Sequence, residues 1–244
     1  MITSIVNSRM FREEYNQWID EFQTIIAPTP EEQYKLQHLR YSDFFFIHQA
    51  MKPTVTDKIL ELGAWPTYGF LYFAQFAAET VISDNLQWDS ERDLAGVDKS
   101  PSPWLKNCAS FPKTVAEKID ACNIPYDNYF NFIYSVSVIE HVVDDNLALR
   151  QMYKALAPGG TMILTTEVNL FTSMPYQPDV YFRVYKFSEI IEQIRAAGFI
   201  VSNNIEGVDA EVEAMMSGAI NHETELRQPY KHFMSGGVVC RKPL

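Results

Sequence analysis

The feature that most constrains this chain is a unit of strand, helix and strand between residues 120 and 167. The segment 130–136, FNFIYSV, is apolar on both faces, as expected of a strand that helices cover on both sides. An amphipathic helix follows, with apolar positions between 147 and 156, and the Pro-Gly-Gly sequence at 158–160 closes it. A second strand at 161–166 comes next. This βαβ pattern predicts two parallel strands with helices packed against them.

The same alternation extends along the rest of the chain. Further strands are predicted at 58–63, 79–84, 115–120, 199–201 and 232–241, of which the last two are expected to form an edge hairpin. One helix is predicted at 68–78, and another is predicted to open at Ser188, a good N-cap residue. The expected fold class is therefore α/β, with a doubly wound, mainly parallel seven-stranded sheet and helices on both faces.

The chain is predicted to form one domain, 1–244. Helices at 10–26 and 31–51 open it, so residues 1–55 are expected to be a helical cover added to a core at 56–244. We find no internal repeat, and no segment has the composition of a linker.

The composition of the chain limits which classes of molecule can be its partners. The formal net charge is −11, and Lys and Arg are scattered, so no run of positive charge can neutralise successive phosphates. We therefore expect no nucleic-acid partner and no membrane partner. The three cysteines, Cys108, Cys122 and Cys240, lie far apart without metal-binding spacing, which is typical of reduced thiols in the cytoplasm. The expected protein is cytoplasmic, without a metal site and without a signal peptide; its oligomeric state stays open.

Three segments carry a resemblance to a known family. They are a strand with a glycine turn at 58–69, KILELGAWPTYG, an acidic turn at Asp120-Ala121, and the run 135–142, SVSVIEHV, followed downstream by LAPGG at 156–160. Together they resemble class I S-adenosylmethionine (SAM)-dependent methyltransferases, over roughly 58–201 and most closely after Asp120. The resemblance implies a Rossmann-like fold, SAM as cofactor and methyl transfer as the activity.

Within the first segment the resemblance assigns Glu61, Gly63 and Ala64 to the cofactor. Glu61 matches the acidic position at the strand end, and Gly63 matches the glycine that lets the backbone approach the methionine part of SAM. The family's later glycines fall at Trp65 and Thr67 here, which departs from the pattern.

The resemblance also implies an acidic residue that binds the ribose hydroxyls after the second strand. Asp84 lies 84 − 63 = 21 residues after Gly63 and is the preferred candidate, because an ordinary helix then fits between them. Asp98, in AGVDKSP, is the alternative.

Further along, Asp120 and Ala121 match the positions that meet the adenine, and Ser135 lies where the family's backbone meets the SAM amino group. His141 is the candidate catalytic residue, as a general base with a side chain that titrates near neutrality. The other interpretation makes His141 a structural residue at a helix start. Some relatives hold magnesium with an acidic-x-x-Glu-His arrangement, but Ser137 occupies the first acidic position here.

An aromatic set lies after the fifth strand, where substrate loops of this family usually sit. Its members are Tyr176, Tyr181, Phe182 and Tyr185, with Arg183 among them. The set forms either the acceptor pocket or ordinary packing, and the sequence alone does not distinguish these two interpretations.

The leading hypothesis is a SAM-dependent methyltransferase that acts on an O or N atom of a small-molecule or saccharide acceptor. A second hypothesis is a non-catalytic SAM-binding or degenerate partner subunit, which the altered glycine turn favours. A nicotinamide-dependent dehydrogenase is disfavoured because GAWPTYG lacks the tight G-x-G-x-x-G turn. A protein or RNA methyltransferase would need a docking surface that the sequence does not display.

Overall fold

A computed structural model of the chain describes residues 1–6, 12–26, 40–64, 67–86, 108–179, 181–217 and 233–244. Its strands are β1 (Thr3–Ile5), β2 (Lys58–Leu62), β3 (Glu79–Asp84), β4 (Thr114–Lys118), β5 (Phe130–Val136), β6 (Leu156–Asn169), β7 (Met174–Gln177), β8 (Phe182–Lys186), β9 (Ile200–Val201), β10 (Ile205–Glu206) and β11 (Met234–Arg241). Its helices are α1 (Arg12–Ile26), α2 (Tyr41–Ala50), α3 (Phe70–Ala74), α4 (Asp145–Ala155), α5 (Phe187–Ala196) and α6 (Ala210–Met216), with a 3₁₀ turn at Ile139–His141.

The centre of the molecule is a five-stranded parallel sheet in the order β4-β3-β2-β5-β6. β11 continues this sheet antiparallel to β6, and β1 and β9 pair with β11. The predicted fold class, a doubly wound and mainly parallel sheet with helices on both faces, is confirmed. The described sheet has eleven strands where seven were predicted. The additional ones, β1, β7, β8 and β10, have two to five residues, too few to show a periodic pattern.

The last two strands were predicted to form an edge hairpin. They do pair antiparallel, as β9 and β11, but the predicted edge position of β11 is wrong. β11 pairs along its whole length with β6, from Met234 opposite Val168 to Arg241 opposite Thr161. It also pairs with β1 and β9, so it lies inside the sheet. A Cβ on Gly237 would lie 2.5 Å from the ring of Phe46. The glycine therefore lets an element of the N-terminal cover pack closely on this strand.

Successive residues of the central strands pack on opposite faces of the sheet. On one face, Ile59 and Ile163 contact the aromatic side chains of α1, α2 and α3. On the other, Leu60 and Leu164 pack against α4 and α5. The described N-terminal helices thus pack on one face, and β1 shows that the first 55 residues also contribute a strand to the sheet.

Several helices begin or end at other residues than predicted, because no local side chain fixes their ends. α3 stops at Ala74 and is much shorter than the predicted 68–78. α5 begins at Phe187 with Lys186 at the N-cap and no side-chain cap, so Ser188 is not its cap. α1 begins at Arg12, and the first part of the predicted helix 31–51 lies outside the described residues.

The Pro-Gly-Gly segment also differs from its prediction. α4 already ends at Ala155, and the following residue, Leu156, pairs with Phe130 of β5. The register then shifts, so that the segment 157–160 bulges out of the ladder. Gly159, with φ +77°, donates its N–H to the carbonyl of Lys242. Close contact with the chain terminus therefore decides this geometry.

None of the helices in the described ranges is both long enough and apolar enough to cross a membrane.

Candidate functional site

A cavity of about 590 Å³ opens where the central parallel strands end. Its lining residues follow the carboxyl ends of β2, β3, β4 and β5, with a further contribution from the β7–β8 region. They are Leu62, Gly63, Asp84, Asn85, Ile119, Asp120, Ala121, Cys122, Ser137, Val138, His141, Val142, Val143, Asp144, Leu147, Tyr176 and Tyr181. This edge of an open α/β sheet is the usual position for a ligand.

The turn after β2 brings the backbone to the cavity. Gly63 has φ +78°, and the N–H groups of Gly63 and Ala64 both donate to the carbonyl of Ser83, at 2.8 and 2.9 Å. A Cβ on Gly63 would lie 2.3 Å from Val138 Cγ2, so only glycine fits there. Gly63 lines the cavity, whereas Ala64 is buried and does not line it. Trp65, the residue that departs from the family pattern, lies outside the described residues.

Asp84 is the last residue of β3 and lines the cavity, with 6% of its surface exposed. Its Oδ1 accepts a 2.7 Å hydrogen bond from the N–H of Leu86, which has φ +59°. The carboxylate thus holds its own turn, which is typical of an Asx turn. The alternative ribose candidate, Asp98, lies outside the described residues.

Asp120 and Ala121 lie just beyond the end of β4 and line the cavity together with Cys122. Asp120 Oδ1 accepts a 2.8 Å hydrogen bond from the N–H of Cys122. The Cys122 thiol donates to the carbonyl of Asp144, at 3.4 Å. Burial, together with the negative charges of Asp120 and Asp144, raises the pKa of the Cys122 thiol, so this thiol is protonated and unreactive at neutral pH.

Two predicted cofactor residues, Glu61 and Ser135, are buried and do not line the cavity. Glu61 is 2% exposed, and its Oε2 accepts a 2.7 Å hydrogen bond from the hydroxyl of Tyr134, its partner across the β2–β5 ladder. Burial is the main reason why the pKa of Glu61 rises to about 8, with a smaller contribution from the charge of Asp84. The hydroxyl of Ser135 donates to the carbonyl of Leu62, at 2.9 Å. Both side chains therefore join β2 to β5 inside the sheet.

His141 lines the cavity from the 3₁₀ turn after β5. Its Nδ1 lies 2.6 Å from the carbonyl oxygen of Tyr181. Because a carbonyl oxygen only accepts, Nδ1 carries the proton in this contact, and Nε2 is the basic nitrogen of the neutral ring. The contact orients His141 and ties it to the segment between β7 and β8.

The structure divides the aromatic set. Tyr176 and Tyr181 line the cavity, whereas Tyr185 is buried and donates its hydroxyl to Asp145 Oδ2 at 2.8 Å. Arg183 donates to the same carboxylate oxygen, at 2.6 Å. Tyr185 and Arg183 therefore belong to the packed interior, whereas an acceptor role for Tyr176 and Tyr181 stays a prediction.

A buried polar cluster adjoins the cavity through Ser137, and the sequence analysis missed it. Ser137 and Thr166 both donate to the carboxylate of Glu140, which is fully buried. Arg40 forms an ion pair with Glu167. Burial raises the pKa of Glu167 to about 7, against the opposing effect of Arg40. These residues come from distant parts of the chain, so no local pattern could have indicated the cluster. Among the residues that the structure describes, no three His, Cys, Asp or Glu side chains are grouped so that they could hold a metal ion.

Comparison with known proteins gives one match to a family model and several solved structures of similar fold. A family model described as a methyltransferase domain matches residues 82–164. No curated protein matches the sequence. A SAM-dependent methyltransferase from Mesorhizobium loti is 17% identical and has a TM-score of 0.55; the alignment covers 81% of this chain and 96% of that one.

Two other solved structures show the same fold. The [4+2]-cyclase SpnF has a TM-score of 0.60 at 15% identity, and the alignment covers 84% of this chain and 82% of that one. Phosphoethanolamine N-methyltransferase 2 of Haemonchus contortus, in complex with SAM, has a TM-score of 0.57 at 14% identity, with 84% and 53% coverage. At such identities, the likeness establishes the fold.

Proposed function

Because the chain has the fold of class I SAM-dependent methyltransferases, we propose that it is an enzyme of this class and transfers a methyl group from SAM. One observation carries the proposal. Gly63, Asp84 and Asp120 are far apart in sequence, yet all three line one cavity at the carboxyl edge of the sheet. These are three of the positions that the sequence resemblance assigned to the cofactor.

In this proposal each side chain has a distinct task. Gly63 lets the backbone approach the amino-acid part of the cofactor, Asp84 accepts hydrogen bonds from the ribose, and Asp120 accepts from the adenine amino group. Bound SAM would supply an activated methyl group on a sulfonium. The protein then needs chiefly to hold donor and acceptor in line and to exclude water.

We further propose that the acceptor occupies the end of the cavity formed by His141, Tyr176 and Tyr181. It would present an O or N atom of a small molecule or saccharide. His141 Nε2 is suited to take the acceptor's proton, because the contact between Nδ1 and the carbonyl of Tyr181 places the ring's own proton on Nδ1.

The comparisons do not favour the second hypothesis, a non-catalytic partner subunit. They do include a cyclase among proteins of this fold. Binding and turnover therefore have to be measured separately.

The first test is calorimetric titration of the purified protein with SAM and with S-adenosylhomocysteine (SAH), with NAD as the control ligand. We expect micromolar or tighter binding of both adenosyl ligands and no response to NAD. If neither SAM nor SAH binds, the proposal fails. If both bind, incubation with SAM and candidate small-molecule acceptors, with SAH formation as the readout, tests methyl transfer.

Replacing Asp84 by asparagine is expected to weaken SAH binding by about 10- to 100-fold, the scale of losing a charge-assisted hydrogen bond. Asparagine can still accept the N–H of Leu86, so the turn should persist. Asp57→Asn is a matched control, because Asp57 also accepts a backbone N–H in a turn, that of Thr54, but does not line the cavity. Unchanged affinity in Asp84→Asn would move the ribose assignment to Asp98.

A further inference from the structure

The end of the cavity assigned to the acceptor has two walls that come from different parts of the chain. One wall is the loop 137–144 between β5 and α4, which contributes His141, Val142 and Val143. The other is the β7–β8 hairpin, residues 174–186, which contributes Tyr176 and Tyr181. A ligand between them is held in one geometry only if the two walls keep a fixed separation.

A single guanidinium bridges these walls. Arg183 of β8 donates from Nη1 to Asp145 Oδ2 at 2.6 Å, and from Nη2 to the carbonyls of Val142 and Val143 at 2.6 and 2.9 Å. Its side chain is 13% exposed, and that of Asp145 is 5% exposed. The pair is therefore largely shielded from water, and its geometry matters more than that of a surface ion pair.

Aromatic residues fix the bridge on the hairpin side. The guanidinium carbon lies 4.9 Å from the ring centre of Tyr176 and 5.8 Å from that of Tyr185. Tyr185 adds a hydroxyl that donates to Asp145 Oδ2 and lies 3.2 Å from the carbonyl of Ile139. One member of this group, Tyr176, itself lines the cavity. The position of a cavity side chain thus depends on the same cation that holds the opposite wall.

A second tie runs in parallel. His141 donates to the carbonyl of Tyr181, which sits in the left-handed region with φ +51°. A non-glycine residue in that region is strained and persists only when surrounding contacts hold it. The Arg183 bridge is one of the contacts that hold the hairpin against the loop, beside the pairing of β8 with β6.

We propose that Arg183 is a positioning residue that holds the loop and the hairpin, the two walls around the acceptor, at a fixed separation. The proposal rests on the proposed function only in naming this end of the cavity as the acceptor's. An arginine is required, because its planar fork reaches a carboxylate and two backbone carbonyls at once, which the single ammonium of lysine does not.

The test is hydrogen exchange of the unliganded protein, followed by mass spectrometry, for Arg183→Met and wild type. We expect exchange about tenfold faster or more in both 139–145 and 174–186, and unchanged exchange in β2 and β3. Arg195→Met is the matched control, since Arg195 pairs with Glu192 on the surface of α5.

Two further variants separate positioning from stability. Arg183→Met leaves the Asp145 carboxylate buried without its cation, and Asp145→Asn in the same chain removes that charge. The double variant should regain most of the melting temperature but keep the fast exchange, because the bonds to Val142 and Val143 are still missing. Should Arg183→Met not fold, Arg183→Lys is the replacement variant, with the charge kept and the fork lost.

Each outcome decides the proposal. Wild-type exchange in either segment of Arg183→Met overturns it, and so does a uniform rise that includes β2 and β3, which indicates only global destabilisation. Recovery of slow exchange in the double variant also overturns it. If wild type does not bind SAH, the proposed function fails, while the exchange measurement still decides whether Arg183 joins the two walls.

Discussion

Replacing Gly63 by alanine is expected to abolish SAH binding in the micromolar range and to lower the free energy of unfolding by about 2–4 kcal/mol. The residue has φ +78°, where an L side chain is strained by about 1–2 kcal/mol. The new Cβ would also lie 2.3 Å from Cγ2 and 2.8 Å from Cγ1 of Val138. Gly63 and Val138 both line the cavity, so relief of this steric clash moves side chains at the place where the cofactor would bind. Calorimetry and urea denaturation measure the two effects.

Two controls distinguish the effect of backbone strain at position 63 from that of the steric clash with Val138. Gly207 has φ +76° and does not line the cavity, so Gly207→Ala should lose stability but keep SAH affinity. Adding Val138→Ala to Gly63→Ala removes the collision and leaves the strain, so part of the lost stability should return. If Gly63→Ala binds SAH as tightly as wild type, this turn does not form the cofactor site.

Replacing Glu61 by glutamine is expected to make the protein more stable than wild type at pH 8.5 and to flatten the dependence of stability on pH. Burial raises the pKa of Glu61 from its ordinary value of 4.5 to about 8, with a smaller contribution from Asp84. The folded state therefore favours the protonated carboxyl. Its stabilisation is complete below the ordinary pKa and is lost as pH rises through about 8. Glutamine is neutral throughout and can still accept the hydroxyl of Tyr134.

Urea denaturation between pH 5 and pH 9 measures this effect. Wild type should lose on the order of a few kcal/mol over that range, and Glu61→Gln should lose less. Some slope should remain in both proteins, because burial also raises the pKa of Glu167, to about 7. Glu79→Gln is the matched control, since Glu79 also accepts a tyrosine hydroxyl, from Tyr129, in a partly exposed position. Parallel curves for wild type and Glu61→Gln would contradict the assignment.

The central fold was predictable because its signals are local. The segment 130–136 forms β5, and the apolar positions after it form α4, since burial on both faces imposes a near-continuous apolar run and an amphipathic helix imposes a 3.6-residue period. Strands such as β1, with three residues, carry no period and gain their stability from neighbours that are distant in sequence. The predicted edge position of β11 was wrong for a related reason, because its long pairing with β6 is a non-local contact.

Likewise, the sequence predicted the location of some candidate-site residues and not of others. Gly63, Asp84, Asp120 and His141 follow strand ends, and parallel strands bring those ends to one edge, so topology alone predicts that they are neighbours. The assignments of Glu61 and Ser135 relied on chain position, whereas in the structure their side chains are buried and hydrogen-bond between β2 and β5. The cofactor roles of all these residues stay predictions until binding is measured.

By itself, the sequence determined the fold class and the edge of the sheet at which a ligand would bind, because hydrophobic period and strand order act over short stretches of chain. Only the tertiary structure decided what surrounds that edge. The bridge from Arg183 to Asp145 and Val142, and the hydrogen bond from Thr166 to the buried Glu140, join residues that no local pattern connects. Such contacts arise when packed layers bring distant side chains within a few ångströms, so their geometry belongs to the folded molecule.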